Sequence, residues 1–181
     1  MKESQSRDVP AFFCERKGEE KRMEQEKYLP LVRLTMVREK NIPYLSKNVN
    51  TPEKAAGLAK EILSGADREY CLVLSMDNRQ RPLAVEIISI GTVDMAPVNP
   101  REIFKHAILV SAVNIIVIHN HTSGDCTPSL PDVELTKRLT KAREILGIPV
   151  ADHVIVGDGY FSFREENMLP ECGQDSLCAV S

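Results

Sequence analysis

The chain has 181 residues, 43% hydrophobic and 27% charged, with a net charge of −3 and no Trp. That length supports one ordinary domain with a core plus tails, and the charge provides no overall basic field for a nucleic-acid partner. Five cysteines at 14, 71, 126, 172 and 178, odd in number and irregularly spaced, argue against a disulfide scaffold. The segment MKESQSRDVP lacks a signal-peptide apolar region, and the apolar run IIVI (115–118) is far short of a membrane span. A reduced, cytoplasmic, non-membrane protein is expected.

Residues 1–27, densest in charge at GEEKRMEQEK, read as a flexible solvated arm. LPLVRLTMV (29–37) alternates Leu31, Arg33 and Thr35 against Val32, Leu34 and Met36, which predicts a strand with one buried face. TPEKAAGLAKEIL (51–63) predicts a helix with Thr51 as N-cap and Pro52 at its first position, ending near Gly65. YCLVLSM (70–76) and LAVEIISIG (83–91) flank the turn DNRQRP and predict a hairpin. NPREIFKHAIL (99–109) follows as a helix with Asn99 as N-cap, Pro100 first and Glu102 at the capping-box position.

VNIIVI (113–118) is the most apolar strand and is expected at the centre of the sheet. SLPDVELTKRLTKAREILG (129–147) predicts an amphipathic helix with Leu135, Leu139, Ala142 and Leu146 on its apolar stripe. DHVIVGDGYFSF (152–163) reads as two short strands around Gly157-Asp158-Gly159. The sum is an α/β fold, helices on a mixed sheet.

The chemistry concentrates in HNHTSGDCTPSLPD (119–132), directly after the central strand. His119 and His121 are two apart, so in an extended segment their imidazoles point the same way. Asp132 falls in the first turn of the next helix. Two histidines and one carboxylate leave the fourth tetrahedral position of a Zn²⁺ open, the arrangement of a catalytic site. A plainer reading stands beside this one: Ser129 and Asp132 form S-x-x-D, which is also a capping-box helix start. The string HNH is not a nuclease signature, because HNH nucleases scatter those residues through a ββα unit. Ser129 lacks a nucleophile-elbow sequence.

The stretch 119–132 resembles the signature of the JAMM/MPN metalloprotease fold, in particular its RadC-like branch. The similarity continues through GTVDMAPVNPREIFKHAI upstream and LGIPVADHVIVGDGYFSFRE downstream, over roughly residues 70–165. It implies a JAMM/MPN-type, cytidine-deaminase-like layered domain over 28–171, with 172–181 as a tail. It further implies zinc ligation by His119, His121 and Asp132, and oxyanion stabilisation by Ser129. The family's general base is an upstream glutamate, matched here by Glu86, with Glu102 and Asp94 as alternatives. Thr122 stands where RadC-like proteins usually carry proline, and the helix-hairpin-helix region of larger RadC proteins is not evident in residues 1–50.

The implied function is zinc-dependent hydrolysis of a peptide or isopeptide amide in an unidentified protein or peptide. The RadC name also implies an alternative, a DNA-repair-associated accessory protein with non-catalytic zinc. That role would call for a basic face, for example Arg101, Lys105, Arg138, Lys141 and Arg143. His153 is a candidate partner behind the ligands, His106 a surface or packing residue, Asp125 a loop stabiliser, and Cys126 an ordinary loop cysteine.

Overall fold

A computed structural model describes residues 28–33, 35–44, 47–91 and 98–169. The charged arm 1–27, Asp94 and the tail 172–181 lie outside the described residues. The chain divides into two units, Met1–Thr35 and Met36–Ser181. In the first, the described residues are exposed and form neither helix nor strand.

The second unit runs α1 (Pro52–Ile62), β1 (Tyr70–Met76), β2 (Pro82–Ile90), α2 (Pro100–Leu109), β3 (Asn114–Asn120), α3 (Leu130–Leu146), β4 (Val150–Val156) and β5 (Tyr160–Ser162). Helix starts follow local chemistry. Thr51 takes the extended N-cap conformation before Pro52, though its side chain makes no cap hydrogen bond. Asn99 Oδ1 accepts from the Arg101 amide, while Glu102 faces Lys105 at 3.7 Å rather than closing a capping box. Ser129 and Asp132 complete a full capping box on α3, which ends at Gly147 in the left-handed conformation.

The five strands are ordered β2-β1-β3-β4-β5, with β3 at the centre as its composition predicts. Only β3 and β4 pair in parallel, connected by α3; the other pairs are antiparallel. Both faces of the sheet are covered. Leu72, Leu74, Met76, Ile116, Ile118, Val154 and Val156 pack with α1. Cys71, Val73, Ile115 and Val117 pack with Ile103 and Phe104 of α2 and with Leu135 and Leu139 of α3. Burial on both faces explains why β1 and β3 read as apolar runs instead of alternating ones.

Three expectations change. Residues 28–33 and 35–37 contain no strand; period-2 alternation makes a segment able to pair, but a strand exists only against a partner edge. Strand β3 starts one residue later and ends two residues later than predicted, so His119 belongs to the ladder, opposite Cys71. On α3 the buried stripe includes Thr136, Thr140 and Arg143, and Leu146 is left 43% exposed. Among the described residues no helix is long and apolar enough to cross a membrane.

Candidate metal centre

The parity of β3 puts His119 on the face shared by α2 and α3, and His121 follows two residues on. His119 Nε2 and His121 Nε2 approach to 3.1 Å. Asp132 Oδ1 lies 3.1 Å from His119 Nε2, and Oδ2 lies 3.4 Å from His121 Nε2. The three side chains are largely shielded, with 7%, 13% and 13% of their surface exposed. They come from the end of the central strand, the residue just beyond it and the first turn of α3.

Each ligand atom is presented by a partner behind it. His121 Nδ1 donates to the Asp125 carbonyl oxygen (2.8 Å), leaving the Nε2 lone pair on the cluster side. The Asp125 carboxylate organises that loop by accepting from the Thr127 amide (2.9 Å) and hydroxyl (2.7 Å). His119 Nδ1 lies 3.1 Å from Nε2 of the fully buried His153. Asp132 Oδ2 accepts from the Ser129 hydroxyl (2.5 Å) and amide (2.7 Å). The loop rests on the β4–β5 turn through His121 N–H to Val156 O (2.8 Å) and Asp158 N–H to Gly124 O (2.9 Å).

Burial alone would raise the Asp132 carboxyl. The hydrogen bond and charge of His119, together with Ser129, outweigh it and hold the group well below the usual carboxylate range. Complete burial, reinforced by the charge of His119, pushes the His153 imidazole far below its ordinary value, so it stays neutral. Two Nε2 atoms and a carboxylate converging at this separation call for a positive charge among them, a proton on a histidine or a metal cation. That donor set fits a divalent cation bound by nitrogen and oxygen, zinc included, and the three residues form a group that could hold a metal ion.

Ser129 is both cap and neighbour of a ligand, so the two sequence readings describe one geometry. Its hydroxyl proton is engaged by Asp132. Glu86 is not brought to the cluster. It is exposed on β2, 3.9 Å from His106 Nε2, in the row Glu86–Val73–Val117. That row lies two strand spacings from β3, about 10 Å across, and about 7 Å along the sheet from His119. Glu102 is paired with Lys105 on α2.

His106 is buried and packs through Nδ1 against Ser75 Oγ at 3.2 Å. Burial lowers its pKa, against the pull of Glu86. Arg143, assigned above to a basic face, is buried.

A carboxylate that the sequence reading passed over, Glu69, stands just ahead of β1, the strand that pairs with β3. Continuing the β1–β3 register two positions beyond Cys71–His119 brings half-buried Glu69 opposite His121. The Asn120 side chain holds that end of β1, accepting from Tyr70 N (2.8 Å) and donating to Arg68 O (3.0 Å). The Glu69 carbonyl accepts from Gly91 N (2.9 Å). Thr136, which supports His153, was also missed, because a threonine inside a helix carries no sequence signal of a role behind a ligand.

Fold and site together define an α/β domain with a His-His-Asp centre at the end of its middle strand. The chain belongs to the RadC-like JAB domain family, whose profile matches residues 49–168. It is 51% identical over 114 residues to a UPF0758 protein of Desulforudis audaxviator, covering 63% of this chain and 50% of that protein. It is 40% identical over 137 residues to one of Rubrobacter xylanophilus, covering 76% and 59%. To one of Actinobacillus pleuropneumoniae serotype 5b it is 39% identical over 173 residues, covering 92% and 75%. The chain thus spans about half the length of the first of these relatives.

Proposed function

We propose that this domain is a zinc-dependent hydrolase of JAMM type that cleaves a peptide or isopeptide amide through an activated water. The observation that carries the reading is the convergence of His119 Nε2, His121 Nε2 and Asp132 within 3.1–3.4 Å, with protein partners behind all three. Membership of the JAB family, which is generally related to hydrolases, supports it. Zinc held by these residues would supply Lewis acidity, polarising a carbonyl and strengthening water as a nucleophile at neutral pH.

The chain's own residues then handle protons and charge. Glu69 accepts the proton lost by the attacking water and returns it to the departing amine. It is preferred to Glu86 because of its register opposite His121. The Ser129 hydroxyl turns from Asp132 Oδ2 toward the developing oxyanion, a contact worth about 2.7–4 kcal/mol where such donors have been removed elsewhere. The alternative DNA-associated role draws on exposed Arg101, Lys105, Arg138 and Lys141, with Arg143 unable to join them and a net charge of −3 opposing it.

The test combines metal content with turnover of a quenched peptide library and of isopeptide-linked substrates. Wild type is expected to hold near one zinc per chain and Asp132→Ala little. Glu69→Gln is expected to keep zinc and lose turnover, while Glu86→Gln keeps both. Full turnover in Glu69→Gln would reject that base, and absence of zinc from wild type, even when it is offered, would reject the metal centre.

A further inference from the structure

We propose that His153 and Thr136 form a buried relay that dictates which nitrogen of His119 faces the cluster, making both positioning residues for the metal ligand. The inference rests on the metal-centre reading above.

The direction of the relay follows from its far end. We assign the Thr136 hydroxyl hydrogen to the Asp132 backbone carbonyl, 2.8 Å away, an atom that can only accept. The Thr136 oxygen therefore accepts from His153 Nδ1, 2.7 Å away. A neutral imidazole protonated on Nδ1 has a bare Nε2, which must accept from His119 Nδ1 at 3.1 Å. His119 is then left with its lone pair on Nε2, the atom 3.1 Å from Asp132 Oδ1. One carbonyl sets the tautomer of two histidines in series.

The relay also joins two ligands. It starts on the main chain of Asp132 and ends on the ring of His119, passing through the first two turns of α3 and the middle of β4. Both intermediaries are sealed from water, Thr136 at 1% and His153 at 0% exposure. The His153 ring is stacked on Phe163 with centroids 4.7 Å apart and planes 8° from parallel, and its amide donates to Asp152 Oδ1 (2.8 Å). His121, by contrast, is oriented by a single carbonyl on an exposed loop. The arrangement makes His119 the ligand whose tautomer the fold protects.

The consequence is specific to the Thr136 oxygen. Thr136→Val removes the acceptor at nearly constant volume and frees His153 to carry its proton on Nε2. That proton would point at His119 Nδ1 and drive the His119 hydrogen to Nε2, where it blocks ligation. In the metal-free wild type at about pH 8, above the ordinary imidazole range, imidazole ¹⁵N shifts are expected to show His153 protonated on Nδ1 alone and His119 carrying a proton on Nδ1. Thr136→Val is expected to shift both toward Nε2 and to weaken zinc binding about 10–100-fold by chelator competition, while Thr136→Ser stays near wild type.

A wild-type His153 protonated on Nε2, or zinc binding unchanged in Thr136→Val, would overturn the relay. Should the valine variant fail to fold, the wild-type tautomers and the serine variant still decide. A wild type that shows these tautomers yet binds no zinc would instead overturn the metal-centre reading.

Discussion

Replacing Gly157 by alanine is expected to disturb the metal centre from behind, without touching a ligand side chain. A Cβ at Gly157 would overlap the Gly124 carbonyl oxygen and lie 3.0 Å from the Cys126 sulfur. The nearer obstacle is backbone, so no change of rotamer relieves it, and either the site loop or the β4–β5 turn must move. Movement loosens the two hydrogen bonds of that seam, His121 N–H to Val156 O and Asp158 N–H to Gly124 O.

At about 1 kcal/mol net for each bond, with about 1–2 kcal/mol for overpacking, the loss comes to about 3–4 kcal/mol. For a domain of this size that lowers Tm by about 10 °C. Zinc affinity falls as well, on the order of tenfold, because the His121 amide is part of the seam. Gly159→Ala, in the same turn, is the control: its Cβ meets nothing within 4 Å, and stability should stay within about 0.5 kcal/mol of wild type. Urea and thermal unfolding of metal-free protein give the first quantity, and chelator competition the second. A Gly157→Ala protein with wild-type Tm and zinc affinity would refute the idea that the seam holds His121 in place.

Ser129→Ala removes the hydroxyl's half of the capping box, leaving only the residue-129 amide on Asp132 Oδ2, and should cost about 1 kcal/mol of stability while weakening zinc binding through a looser Asp132. Turnover lost at full stability and full zinc affinity would instead leave Ser129 with a purely chemical role. Asp152 is buried beside Ser162 and Arg164, and burial raises its carboxyl despite those hydrogen bonds. Between the ordinary carboxyl value and its raised folded value, the native state holds a proton that the unfolded chain has released, so stability falls as pH rises through that window. Asp152→Asn should flatten this segment of the unfolding profile; an unchanged slope would contradict the assignment. Cys71 is buried opposite His119, and burial, with the charge of Asp132, pushes its thiol up to about 12. It should resist alkylation in the folded protein and react only on unfolding, as mapped by mass spectrometry.

Much of this domain is written in local pattern. The caps Asn99, Ser129 and Gly147, the prolines at the starts of α1 and α2, and the apolar run 114–118 act within a few residues, so helices, hairpin and central strand are legible from the chain. The pairing of His119 with His121 is legible too, because a spacing of two in an extended segment needs no knowledge of the fold. Asp132 follows from its place in a helix start just downstream.

What the chain alone does not disclose is which strands become neighbours and which ends they share. The antiparallel register of β1 on β3 brings Glu69 opposite His121 and leaves Glu86 a further strand away, and no periodicity encodes that order. The described residues of the segment 29–37 alternate like a strand but form none, since a ladder is a property of two segments. The relay through His153 and Thr136 exists because β4 lies parallel to β3 with α3 packed above both. Hydrogen bonds between residues 17 and 34 positions apart are set by that packing, whereas a cap is set by the chain's immediate neighbours.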